Sequence, residues 1–296
     1  MPELPETETI ARDLHATVVQ AVVARVSVHR EDVLREITPE QLAPTLEGAR
    51  ITRVWRRAKL VVIDLDRDSN AVRANPTGAT PNTSARAPIG HIVVQPRFTG
   101  SLLLDDGTLP PDQLDYLTVT FHLGDARALH YRDVRRLGTL SFMSCKRFVE
   151  YANRLGPEPL DDSITEAIFS GLVRASHRPV KTLLMDQTRL AGVGNIYANE
   201  ALWRAGIDPS RVAASLTTIE AARVLAELRA VLTASIAARG TSFRDYRDAR
   251  GQRGSFVEQL SVYGRGGQPC RQCGRRLIDT RAIDGRTTVF CAHCQR

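Results

Sequence analysis

Four cysteines near the end of the chain restrict its fold more tightly than any other feature. Cys270 and Cys273 form one Cys-x-x-Cys pair and Cys291 and Cys294 a second, with residues 274–290 between them. Two such pairs at this spacing fit a zinc site on two β-knuckles, because thiolates are soft donors suited to a tetrahedral ion. Disulfides are the alternative, and they are disfavoured by the cytoplasmic setting argued below. Four protein ligands leave no place for substrate, so the expected metal is one structural Zn2+, and His293 has no vacancy to fill. Such binding supplies about 10–16 kcal/mol of folding energy to a module with little core. Cys145 stands alone and is expected to be a small buried side chain.

The 296 residues suffice for about two domains, each with its own core. At 43% hydrophobic and 25% charged, the composition is that of an ordinary soluble protein rather than a disordered or membrane-spanning one. The longest apolar runs, such as Leu60-Val61-Val62-Ile63, fall far short of the ~20 residues of a membrane span. No charged n-region followed by an apolar stretch opens the chain, so the expected setting is the cytoplasm, with no membrane partner.

Hydrophobic periodicity divides the chain. Ile10, Leu14 and Val18 recur at helical spacing behind Pro5, Glu6 and Glu8, which predicts a helix over residues 5–17. Residues 22–29, 51–55, 60–65, 92–95, 101–104, 117–123, 128–132 and 139–143 read as strands, and many short strands between turn residues suggest an antiparallel sandwich or barrel. Residues 66–90 are too polar to pack and read as a long mobile excursion between two strands. Asn82-Thr83-Ser84 matches a glycosylation triplet, to which the absence of a secretion signal gives no meaning. Beyond Gly156-Pro157-Glu158-Pro159, residues 162–174, 180–185, 196–205 and 217–238 read as helices. The expected class is α+β, with domains at 1–155, 156–260 and 261–296.

Charge points to a polyanion. The net charge is +7, and from Thr241 to Arg296 there are 11 arginines against 5 acids, so +6 of it lies in the last fifth of the chain. A nucleic acid is the simplest partner, and a solvated basic face would give the same composition. Arg281 and Arg286 ride on the presumed hairpin between the cysteine pairs, where each reads either as a phosphate contact or as a solvated side chain. Only Lys59, Lys146 and Lys181 are lysines; Lys59, in the run Arg56-Arg57-Ala58-Lys59, is either chance retention or a compact point charge that arginine cannot replace. Gly192-Val193-Gly194-Asn195 reads as a turn in which Asn195 caps the helix that follows and the helix N–H groups face an anion. A structural tight turn is the alternative.

Loss of Met1 would expose the secondary amine of Pro2 beside Glu3 and Glu6. A neutral amine attacks an electrophilic carbon, and an adjacent carboxyl group moves the protons that the attack requires. A charged, frayed terminus is the ordinary alternative.

Taken together, Pro2-Glu3, Lys59, the Gly-Val-Gly-Asn turn and the terminal cysteine pairs resemble the formamidopyrimidine-DNA glycosylase and endonuclease VIII family, and the opening MPELPE resembles its formamidopyrimidine branch. The likeness runs through RRAKL at 56–60, YRDVRRLG at 131–138, LGPEPL at 155–160, AGVGNIYANEALWRAGIDP at 191–209, VYGRGGQPC at 262–270 and RTTVFCAHCQ at 286–295. It implies an N-terminal antiparallel β-sandwich domain, a helix-two-turns-helix domain and a C-terminal four-cysteine zinc finger, binding damaged double-stranded DNA as a monomer.

By the same resemblance Pro2, Glu3 and Lys59 make up the catalytic set. Pro2 would attack C1′ of a damaged nucleotide, Glu3 would act as acid and base, and β,δ-elimination would follow. Lys59, Asn195 and Arg286 would hold phosphates. The nucleotide must leave the stack to reach an N-terminal amine, and Phe98, Arg135 and Leu137 would fill the hole; without the resemblance Phe98 and Leu137 read as core residues. The chain departs from the family where HLGMSG becomes Gln95-Pro96-Arg97-Phe98-Thr99-Gly100 and RRFG becomes Arg135-Arg136-Leu137-Gly138. Arg244 opens an arginine-rich stretch, to Arg253, where the family carries a mobile loop over the flipped base. The expected activity is excision of oxidised purines with abasic-site lyase action in base-excision repair, localised to nucleoid DNA. The same chemistry on oxidised pyrimidines, and a non-catalytic zinc-finger DNA-binding protein, are the rivals.

Overall fold

Pro5 and Glu6 fall in the first turn of α1 (Leu4–Val18), where a fixed φ and a carboxylate both favour helix initiation. The computed structural model describes residues 2–68 and 86–296, and the chain divides into two units. One gathers Pro2, Glu6–Ala152 and Ser242–Gly254; the other gathers Glu3–Pro5, Asn153–Thr241 and Ser255–Arg296.

Among the described residues the first unit holds eight longer strands and one short one. In chain order these are β1 (Val23–Val28), β2 (Leu34–Arg35), β3 (Arg50–Arg57), β4 (Leu60–Asp68), β5 (Arg86–Gln95), β6 (Gly100–Asp105), β7 (Leu117–Leu123), β8 (Ala128–Asp133) and β9 (Thr139–Met143). They form a four-stranded sheet in the order β1-β7-β8-β6 and a five-stranded sheet in the order β2-β9-β5-β4-β3. Every pairing is antiparallel except β2 with β9, where Leu34 lies opposite Leu140. Period-two alternation buries Leu102, Val119, Phe121 and Leu129 of one sheet and Val61, Ile63, Ile92 and Val94 of the other in one shared core, closed by Ile10, Leu14 and Val18 of α1. The expected sandwich is the observed one.

The excursion expected over residues 66–90 is shorter than its composition suggested. β4 runs on to Asp68 and β5 begins at Arg86, with Asp66 opposite Pro88 and Arg67 opposite Ala87. Arg67 Nη2 donates to the carbonyls of Thr45 at 2.8 Å and Glu47 at 2.9 Å, and this anchors a strand end too polar to announce itself. The mobile stretch expected for the remainder, and the Asn82-Thr83-Ser84 triplet, lie outside the described residues. Two helices went unread in the sequence, α2 (Pro39–Leu46) and α3 (Cys145–Ala152). Each is only eight residues, α2 contains Pro44, and the apolar positions of each, Leu42 and Leu46 in one and Phe148 and Val149 in the other, span about two turns, too short a window for a period to stand out. Cys145, expected to be buried, is exposed at the first position of α3.

In the second unit α4 (Glu166–Arg174), α5 (Val180–Leu184), α6 (Asn195–Ala205) and α7 (Thr218–Ala237) share a core that includes Phe169, Leu184, Tyr197, Leu202 and Leu228. α4 starts later than its apolar pattern suggested because Thr165 is the N-cap, its Oγ1 accepting from Ile168 N–H at 3.3 Å. A capping box of Thr217 and Glu220 opens α7. The chain ends in a hairpin of β10 (Ile278–Thr280) and β11 (Thr288–Phe290), over a small core of Val262, Leu277, Val289, Cys270 and Cys291. Among the described residues no helix is long and apolar enough to cross a membrane.

Candidate active site and nucleic-acid interface

Glu3 precedes α1, and it is only 1% exposed. Ile196 N–H, in the first turn of α6, donates to Glu3 Oε1 at 3.2 Å across 193 residues of sequence. The glycines of the 192–195 turn explain this approach. A Cβ on Gly194 would lie 2.1 Å from Glu3 Cδ, and one on Gly192, whose φ is +93°, would lie 2.7 Å from Leu4 Cδ1. Leu4 N–H donates to the Gly192 carbonyl at 3.1 Å, and the Gln187 amide grips the turn through Gly192 N–H at 2.9 Å and the Val193 carbonyl at 2.8 Å. The anion at this helix end is therefore the chain's own carboxylate, and the turn serves the N-terminus.

Asn195 does not cap α6 as expected. The N-cap is Gly194, while the Asn195 amide donates to the Thr287 carbonyl at 2.9 Å, next to Arg286. Asn199, one turn on, accepts from Val289 N–H at 2.8 Å, so α6 holds the hairpin by its connecting loop and by β11. Lys181, on α5, completes this grip. Its buried amine donates to Asp284 at 3.1 Å and to Thr288 Oγ1 at 2.7 Å, and burial pushes its pKa down although Asp284 opposes the shift. Asp284 Oδ1 in turn accepts from Arg286 N–H at 3.0 Å, while the Arg286 side chain is exposed. Lys181 was visible in the sequence as one of three lysines among 40 basic residues, but nothing local tied it to residue 284.

Pro2 is buried and falls in the other unit with Lys59; the expected loss of Met1 lies outside the described residues. Lys59 occupies the two-residue turn between β3 and β4, after Ala58 with φ +54°. Arg56 steadies that turn by donating to the Ala58 carbonyl at 3.1 Å and to Glu8 of α1 at 2.8 Å. Burial works to raise the Glu8 carboxyl, yet Arg56 and Arg12 hold it below its ordinary value.

Phe98 and Leu137 are 46% and 41% exposed, which removes the core reading that their residue types invite. Phe98 lies between β5 and β6 and Leu137 between β8 and β9, and the Arg135 guanidinium stands 5.3 Å from the Phe98 ring centroid. The structure thus brings the three expected fillers onto neighbouring loops. Arg244 is exposed in the segment Ser242–Gly254, which packs in the first unit through Tyr246 and Ala249. Leu104 N–H donates to the Ala249 carbonyl at 2.9 Å and Tyr246 Oη to the Glu6 carbonyl at 3.3 Å, so the stretch expected to be a mobile loop is tied down.

The sulfurs of Cys270, Cys273, Cys291 and Cys294 lie within 4.8 Å of one another. Cys270 and Cys294 are 4.0 Å apart and Cys273 and Cys291 3.5 Å, against about 3.8 Å for a tetrahedron with Zn–S bonds of about 2.3 Å. The residues fit one structural zinc, and His293 is exposed outside them. Beside the metal site, buried Glu200 accepts from the backbone N–H groups of Ser261, Val262 and Tyr263 at 2.8–3.1 Å, a partner no spacing in the sequence betrays.

Comparison with known proteins follows this geometry from end to end. The formamidopyrimidine-DNA glycosylase N-terminal domain matches residues 1–140, the formamidopyrimidine-DNA glycosylase H2TH domain residues 155–247, and the zinc finger found in FPG and IleRS residues 267–296. A formamidopyrimidine-DNA glycosylase of Carboxydothermus hydrogenoformans is 36% identical over 296 residues, covering 100% of both chains. The crystal structure of the MutM (FPG) protein from Thermus thermophilus superposes with a TM-score of 0.80 at 34% identity, covering 99% of this chain and 98% of that one. A variant of the Lactococcus lactis FPG, in complex with a Fapy-dG containing DNA, gives 0.85 at 28% identity and covers 100% of each chain.

Proposed function

The chain belongs to the formamidopyrimidine-DNA glycosylase family, and on that premise we propose that it excises oxidised purines, 8-oxoguanine and formamidopyrimidines, from duplex DNA and then cleaves the strand. The Pro2 amine attacks C1′ of the everted nucleotide. A bond forms from nitrogen to C1′, the glycosidic bond breaks, and its electron pair leaves with the base, which takes up a proton. Glu3 accepts the proton that the amine sheds and returns it as the sugar ring opens to the iminium. Loss of a C2′ proton then expels the 3′ phosphate, and a second elimination expels the 5′ phosphate. Lys59, Asn195 and Arg286 hold phosphates about the lesion, and Phe98, Arg135 and Leu137 occupy the vacated stack.

The observation that carries this reading is the treatment of Glu3. A buried carboxylate on the residue after Pro2, given a backbone donor at the head of α6 and room by Gly194, is what a proton carrier for an N-terminal amine requires. The zinc finger supplies rigidity to the hairpin that bears Arg286. The functional division is taken as 1–155, 156–260 and 261–296, and the same reading implies a monomer acting on nucleoid DNA in the cytoplasm.

Borohydride trapping on duplexes carrying 8-oxoguanine, a formamidopyrimidine or an oxidised pyrimidine tests the proposal. An adduct that forms most rapidly with the oxidised purines and maps to Pro2 is expected. No adduct with any lesion, or one that maps to a lysine, overturns it.

A further inference from the structure

Two crossovers run side by side in the sandwich. Residues 96–99 carry the chain from β5 in the five-stranded sheet to β6 in the four-stranded sheet, and residues 134–138 carry it from β8 back to β9. Because β6 pairs with β8 and β5 with β9, Gly100 lies opposite Asp133 and Gln95 opposite Thr139, so both crossovers leave and rejoin the sheets at matched positions. Each carries a non-glycine residue in the left-handed region, Arg97 with φ +48° and Arg136 with φ +51°, a conformation that persists only where surrounding contacts impose it.

One side chain ties the two crossovers together. Asp133 is 1% exposed, and its Oδ1 accepts from Thr99 Oγ1 at 2.5 Å and from Arg135 N–H at 3.2 Å, while Oδ2 accepts from Gly138 N–H at 2.8 Å. Thr99 Oγ1 accepts from the same Arg135 N–H at 2.9 Å. The bonds fall on Arg135 itself and on the immediate neighbours of Phe98 and Leu137. Gly138 admits no larger residue, since a Cβ there would lie 2.1 Å from Tyr131 Oη and 2.7 Å from the Gln95 carbonyl. Both loops are therefore registered on one buried carboxylate.

We propose that Asp133, together with Thr99, is the positioning device that sets the Phe98–Arg135–Leu137 wedge, and that it governs eversion and the reading of the opposite base rather than the chemistry at C1′. This rests on the filler roles assigned to those three residues. Side chains that must enter a base stack together act as a unit only if their backbones hold a fixed spacing. Asp133 supplies that spacing from beneath the loops, where it can touch no base.

Asp133→Asn keeps the shape but places an amide donor against backbone N–H groups, and Thr99→Val removes the hydroxyl bridge while leaving the carboxylate. Each is compared with Phe98→Ala and Leu137→Ala in two assays. One is single-turnover base excision from 8-oxoguanine·cytosine and 8-oxoguanine·adenine duplexes, with 2-aminopurine fluorescence read next to the lesion. The other is strand cleavage of a single-stranded abasic oligonucleotide, which has no base to evert and no partner strand. On the duplex, Asp133→Asn and Thr99→Val are expected to lose about 10–100-fold in the single-turnover rate and to discriminate less between opposite bases. Abasic cleavage is expected to stay within about threefold of the parent, with the fluorescence rise slowed in step with excision. Equal losses on both substrates would mean a general scaffold role and overturn the proposal, as would full duplex activity in Thr99→Val and Asp133→Asn while Phe98→Ala loses it. Full duplex activity in Phe98→Ala and Leu137→Ala would instead overturn the filler assignment, and the positioning role with it.

Discussion

Gly194→Ala changes one hydrogen into a methyl group and is expected to disable the enzyme without unfolding it. The added Cβ would stand 2.1 Å from Glu3 Cδ, 2.4 Å from Oε1 and 2.5 Å from Oε2. Carbon pairs settle at about 3.5–4.0 Å, so the carboxyl group must recoil by about 1.5 Å. Gly194 has φ −129°, an extended backbone that alanine adopts freely, so the strain is confined to this contact. Recoil breaks the 3.2 Å bond from Ile196 N–H, and hydrogen bonds to charged groups contribute about 1.5–3 kcal/mol. Misplacing a catalytic group by about 1 Å costs on the order of a hundredfold, equivalent to about 2.7 kcal/mol of transition-state stabilisation. Single-turnover excision and borohydride trapping on an 8-oxoguanine duplex read the chemistry, and thermal unfolding reads the fold. A rate within about threefold of the parent, with unfolding unchanged, would refute the claim that Gly194 makes room for the proton carrier.

Cys273→Ser is expected to release the zinc, measured as metal per chain, and to weaken binding to a lesion duplex because the loop bearing Arg286 loses its anchor; full metal occupancy or unchanged affinity would contradict this. Glu220, paired with Arg211 at 2.7 Å, has its pKa lowered from 4.5 to about 2. A depressed folded-state pKa stabilises above the unfolded value and is lost as pH falls from 4.5 through about 2. Glu220→Gln should therefore cost about 1 kcal/mol at neutral pH, discounted for the partial exposure of the pair, and flatten the unfolding temperature across that acid window; a parallel acid loss in parent and variant would exclude the pair as its source.

Patterns confined to short windows were legible in the sequence. Each Cys-x-x-Cys pair, the apolar stripe of α1 and the alternation of the sandwich strands depend on residues close together in the chain, and each has its counterpart in the structure. Partnerships across long separations were not legible. Gly192 and Gly194 marked a turn but not that Glu3 and Leu4 pack against it. Asn195 had the residue type of a cap, and a backbone carbonyl 92 residues away claimed its amide instead. Exposure misled in both directions, since Cys145 is a type that usually hides and lies open, while Lys181 is a type that usually lies open and is buried on an ion pair. The role of Asp133 carried no local signal, because a carboxylate that collects backbone donors from one loop and a hydroxyl from another has no spacing signature.

The thread of chain from Ser242 to Gly254 has a consequence for how the molecule is made. Tyr246 and Ala249 belong to the core of the strand-rich unit, although the helix-bearing stretch Asn153–Thr241 separates them from the end of α3. During synthesis the sandwich cannot finish its interior until residue 249 has left the ribosome, so the nascent strand-rich half must wait, partly open, while the helices are translated. Likewise the helical unit takes Glu3–Pro5 from the very first residues made. Each half is completed by a piece from a distant stretch of the chain, and a cut between Ala152 and Asn153 yields two fragments that both lack a part.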